Sequence, residues 1–89
     1  MISRELTIIN KLGLHARAAS HLVKVASGFS SSITLERAGA SANAKSIMGL
    51  MLLAAAKGQT VTVRADGADE HEALAAVEAL VRDRFHEEQ

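Results

Sequence analysis

The chain opens on an alternation. Ile2, Leu6 and Ile8 share one parity while Ser3, Glu5 and Thr7 take the other, as in a strand with one buried face. Ser32-Ile33-Thr34-Leu35-Glu36 and Thr60-Val61-Thr62-Val63-Arg64-Ala65 repeat the pattern. After Arg37, Ala38-Gly39 suits a tight turn into a short strand around Ala40 to Asn43, weak by propensity because it is built of Ala and Ser. Between the strands the period becomes helical. Ala19, Leu22, Val23 and Ala26 form one stripe, with Gly28 expected as a left-handed C-terminal cap. A second helix is predicted from Ile47 to about Leu53, opened by Ser46 in the N-cap position, with Gly49 where a capping box would need an acid or amide. Asp69 and Glu72 suggest a capping-box-like start for a third helix, whose apolar stripe is Leu74, Val77, Leu80, Val81 and Phe85.

The order β-α-β-β-α-β-α, with one polar face on each strand, predicts an α/β (α+β) open-faced sandwich. A four-stranded antiparallel sheet carries three helices on one face and meets water on the other. No repeat, linker or low-complexity tract divides the 89 residues, so a single domain spanning 1–89 is expected. A hydrophobic fraction of 48% is too high for disorder, but seventeen of those residues are Ala, so the core must be thin and closely packed.

Composition removes several classes of function. Ten Lys and Arg balance ten Asp and Glu, and two Phe are the only aromatics, whereas nucleic-acid binders carry a basic excess and stacking rings. Without Cys there is no disulfide framework and no thiolate metal site. The alternating N-terminus leaves no signal-peptide core, and the most apolar stretch, Ile47 to Ala56, is ten residues, about half a membrane span. A cytoplasmic monomer that binds neither nucleic acid nor membrane is expected.

The chemistry concentrates in Gly13-Leu14-His15-Ala16-Arg17-Ala18-Ala19, which joins the first strand to the first helix. Gly13 permits a sharp turn, so His15 falls at or just before the first helical turn, where free N–H groups and the macrodipole favour an anion. Arg17 in that turn opposes the dipole by roughly 0.3–1 kcal/mol, a conflict that an arriving anion would remove. Neutral imidazole is nucleophilic near pH 7, so this is the arrangement for a histidine that accepts a phosphoryl group while amides and Arg17 steady its oxygens. The same residues also fit a plain helix cap beside a solvated arginine.

GLHARAA, followed thirty-one residues after its histidine by Ser46 in AKSIMGLMLLAA, resembles HPr, the histidine-containing phosphocarrier of the bacterial phosphotransferase system. The likeness runs through ADGADEHEAL to the last helix. It implies an open-faced sandwich and a phosphohistidine at Nδ1 of His15, received from enzyme I and passed to an enzyme IIA-type acceptor in sugar transport. It also implies assistance from Arg17. Such a protein is a substrate of other enzymes rather than an enzyme. One departure is Ala18, where the family usually has proline. The loss of a ring that pre-sets φ loosens the unfolded chain by about 0.4–1 kcal/mol without removing a reacting group.

Ser46 is worth about 1 kcal/mol as an N-cap. The resemblance adds that the serine of Lys45-Ser46-Ile47-Met48-Gly49 is a phosphoserine site for HPr kinase/phosphorylase, and phosphate is favoured at a helix N-terminus. Of the apolar residues in the second helix, Leu50 and Leu53 are expected to be buried. Ile47, Met48 and Met51 are expected to form an exposed docking patch, with Ser20 and Lys24 as its polar rim. His21, His71 and His86 lack metal-ligand spacing and read as surface or structural residues, so no metal or cofactor is expected. Two alternatives stand beside the transport carrier. A regulatory phosphorelay protein, nitrogen-type or from an incomplete system, would share its fold. An acylphosphatase-like enzyme would need a phosphate-cradling loop with a water-positioning amide, and neither Asn10 nor Asn43 sits in one by pattern.

Overall fold

The computed structural model describes residues 1–87. Strands β1 (Ile2–Thr7), β2 (Ser32–Arg37), β3 (Ala40–Asn43) and β4 (Thr60–Asp66) alternate with helices α1 (Ala16–Ala26), α2 (Ile47–Leu53) and α3 (Glu70–Arg82), and a 3-10 turn closes the chain at Arg84–His86. The sheet has the order β1-β4-β2-β3, antiparallel at every pairing. Period-two patterning sets its register. Val61 lies opposite Leu6, and Leu35 and Ile33 lie opposite Val63 and Ala65, so all six face the helices and are buried. The intervening Thr34, Glu36, Thr62 and Arg64 face solvent, where Arg64 and Glu36 pair at 3.0 Å. Arg4 shares the inward parity of β1 but lies on an edge strand, and its guanidinium reaches Glu78 of α3.

Alanines bring the helices close to the sheet. Ala18, Ala19, Leu22 and Ala26 of α1 are fully buried, as are Leu50 of α2 and Ala73 and Val77 of α3. Burial of this area is the main stabilising contribution, at about 25 cal/mol per Å² of apolar surface.

Three expectations at helix ends are corrected. Gly28 is not a left-handed cap: α1 closes through Ser27 in the right-handed region, and the Gly28 N–H donates to the Val25 carbonyl at 3.1 Å. Asp69 sits in the N-cap position of α3 without capping it. Its carboxylate instead accepts from the amides of Ser30 and Ser31, both at 2.9 Å, and from the Ser31 hydroxyl. Phe85 is buried, but not on the stripe of α3, which stops at Arg82. Arg84, Phe85 and His86 all have positive φ, turning the chain back toward the first strand–helix loop. Three consecutive left-handed residues cost about 1–2 kcal/mol each. Burial of a Phe side chain recovers about 1.5–3 kcal/mol of that.

Candidate functional site

The loop before α1 is fixed by its backbone and by one buried side chain. The Leu14 N–H donates to the Ala55 carbonyl at 2.8 Å, and Asn10 Nδ2 donates to the Gly13 carbonyl at 2.7 Å. Gly13 has φ +65°, and a Cβ there would lie 2.5 Å from the Ala55 oxygen, so both conformation and space require glycine. His15 follows as the N-cap of α1, in extended conformation, with its carbonyl accepting the first helical bond from Ala19 at 2.8 Å. The expected position is therefore the observed one.

The imidazole is held at both nitrogens. Nδ1 accepts from the Arg17 amide at 3.3 Å, and Nε2 lies 2.6 Å from Glu87 Oε2. An accepting Nδ1 has a free lone pair, so the proton is on Nε2 and is donated to the carboxylate. The other oxygen of Glu87 accepts from Asn10 Nδ2 at 2.7 Å. Partial burial pushes the Glu87 carboxyl up, but the hydrogen bonds from Asn10 and His15, with the Arg17 charge and, whenever the ring is protonated, that of His15, outweigh it and hold the group below its ordinary value. The His15 side chain keeps 26% of its surface exposed, enough for a partner to reach the ring.

The first turn of α1 contains no acid, and among the described residues the Arg17 guanidinium has no ion-pair partner. A helical cap at His15 leaves room for an anion, since the two make compatible demands on these residues. The arrangement can hold an anion, because the first-turn amides of α1 point outward and the Arg17 guanidinium can compensate a negative charge there. Glu87 and Asn10 join the site only through the fold. A separation of 72 residues between Glu87 and His15 leaves no local signal, and the one sequence feature of Asn10 that bears on the site is its place three residues before Gly13.

Ser46 caps α2 as expected, its Oγ accepting the Gly49 amide at 3.1 Å. Ile47, Met48 and Met51 are exposed, while Leu50 and Leu53 are buried. Leu52, not nominated from sequence, is the most exposed of the group at 81%. Ser20 and Lys24 are exposed on α1. Arg37 donates through Nε and Nη2 to the Leu53 carbonyl at 3.1 and 3.0 Å, closing the C-terminal end of α2 where Ala54 turns left-handed. His71 is exposed, and His86 pairs with Asp83 at 2.7 Å while its ring meets His21 edge-on at 5.2 Å. No group of three metal-capable side chains occurs among the described residues, nor is any helix there long and apolar enough to cross a membrane.

A family model described as the PTS HPr component phosphorylation site matches residues 2–83. The chain belongs to the HPr family. An HPr from Xylella fastidiosa is 53% identical over 88 residues, covering 99% of each chain. A phosphocarrier protein NPr from Shewanella violacea is 44% identical over 86 residues, covering 97% of this chain and 94% of its own. Among solved structures, an HPr from Thermoanaerobacter tengcongensis superposes with a TM-score of 0.95 at 45% identity, covering all of both chains. HPr proteins are phosphocarriers rather than enzymes, and the open-faced sandwich read from the sequence is the HPr fold.

Proposed function

We propose that this HPr-family chain, acting as one cytoplasmic domain over residues 1–89, accepts a phosphoryl group on Nδ1 of His15 from phosphoenolpyruvate-charged enzyme I. It then passes the group to an enzyme IIA-type acceptor in sugar transport. The observation that carries this reading is the imidazole at the N-terminus of α1, with Nδ1 turned to the Arg17 amide and accepting from it. Arg17 steadies the phosphoryl oxygens. Ile47, Met48 and Met51 dock donor and acceptor in turn as a monomer's interaction face, joined by Leu52 and rimmed by Ser20 and Lys24. Ser46 is the regulatory site for HPr kinase/phosphorylase, because its Oγ already stands at a helix N-terminus that favours phosphate. Similarity to the NPr of Shewanella violacea supports a second reading, a nitrogen-type regulatory relay using the same histidine.

Incubation with enzyme I and phosphoenolpyruvate tests the proposal. One acid-labile phosphoryl group is expected on the wild type and none on His15→Ala. Arg17→Ala is expected to slow transfer by about tenfold or more, given that one well-placed charge-stabilising donor contributes roughly 10²–10³. Acid-stable label, or label surviving in His15→Ala, would remove His15 from the reaction.

A further inference from the structure

We propose that Glu87 is a positioning residue for phosphoryl transfer: its carboxylate keeps the proton on Nε2 of His15, which leaves Nδ1 as the nucleophile before transfer and preserves Nε2–H after it. The inference rests on the reading of His15 as phosphoryl acceptor.

The carboxylate is clamped. One oxygen lies 2.6 Å from Nε2, and the other accepts from Asn10 Nδ2 at 2.7 Å. Asn10 is completely buried and is anchored on the Gly13 carbonyl, in the same loop that sets His15. Glu87 itself keeps 14% of its side-chain surface exposed. The segment that delivers it runs through the three left-handed residues Arg84–His86 and is pinned by buried Phe85. Strained backbone is retained only where the surroundings over-determine it, and here the outcome is a carboxylate on the ring edge opposite the attacking nitrogen. Arg17 from α1 is the fixed positive charge acting on Glu87, whereas neighbouring His86 turns to Asp83 and packs on His21.

In the transfer itself, the Nδ1 lone pair forms the N–P bond while the donor's bond to phosphorus breaks and its electron pair leaves with the donor. No proton need leave the ring, because Nε2–H is retained and donated to Glu87. The phosphorylated imidazole is then cationic beside a carboxylate. On onward transfer the N–P electrons return to Nδ1 and restore the neutral Nε2–H form. If Nε2 lost its proton, the departing ring would be an imidazolate, a far poorer leaving group. Retaining the proton keeps the group transferable.

The test is Glu87→Gln in the full chain, with 15N NMR of the His15 ring before and after phosphorylation. In the wild type the Nε2–H tautomer is expected to dominate, and in the variant a substantial Nδ1–H population is expected. In the phosphorylated variant, the midpoint for loss of the Nε2 proton should fall by about one pH unit. Transfer to the acceptor above that midpoint should slow by about tenfold, the lower end of the loss when a carboxylate orienting a metal-bound histidine is removed. A merely structural Glu87 would change melting temperature without moving tautomer or midpoint. Unchanged tautomer and midpoint in the variant would overturn the inference, as would a dominant Nδ1–H form in the wild type. Failure of the His15→Ala labelling control would instead overturn the phosphocarrier chemistry at His15.

Discussion

Gly13 constrains the candidate site more tightly than any reacting group does. Its φ of +65° suits a residue without a Cβ, and the added atom would meet the Ala55 oxygen at 2.5 Å and Ala56 Cα at 2.9 Å. Both neighbours are backbone, so neither can rotate away. Gly13→Ala is expected to destabilise the fold by about 2–4 kcal/mol, combining left-handed strain with overpacking. Urea denaturation measures it, and a change under about 0.5 kcal/mol would mean that the loop adjusts freely. His15, Arg17 and Gly13 were legible in the sequence because seven consecutive residues carry the turn, the cap and the misplaced cation together. Asn10 and Glu87 were not, since their roles exist only once a left-handed turn brings the C-terminal segment back to the first loop.

At the scale of elements, periodicity gave the strands and helices nearly residue by residue, β3 included despite its weak propensity. The expectations that failed are at helix ends, where polar groups choose among partners that sequence does not bring together. Asp69 shows why: in place of capping α3 it ties the β4–α3 junction to the turn before β2. The Ser31 hydroxyl, followed by the Ser30 amide, pulls its carboxyl down from 3.8 to about 2. A folded value below the unfolded one contributes stability that is complete above the ordinary value and lost as pH falls through it toward the folded one. The window is therefore roughly pH 4 to 2. Wild type is expected to lose stability across this range relative to Asp69→Asn, which cannot ionise. The gap between the two unfolding free energies should be widest above about pH 5 and should shrink toward pH 2. A gap constant with pH would show that the clamp does not depend on charge.

On the scale of the whole molecule, a sheet covered on one face by three helices cannot enclose a seven-residue helix that is apolar nearly all round. Leu50 and Leu53 take the inward positions, which forces Met48 and Leu52 outward at 72% and 81% exposure. An exposed apolar group this concentrated contributes nothing to the isolated fold and lowers solubility, which is the burden that the proposed docking role would offset. Met48→Glu and Leu52→Glu separate the two effects. Because neither side chain is in the core, each variant should unfold within about 0.5 kcal/mol of the wild type. Each should nonetheless bind enzyme I at least about tenfold more weakly, since a central contact at an interface is worth more than 1 kcal/mol. At saturating enzyme I the phosphorylation rate of His15 should return to near the wild-type value, because the imidazole, Arg17 and Glu87 are untouched. A lowered rate at saturation would place these side chains in the chemistry, and unchanged affinity in both variants would move the docking surface off α2.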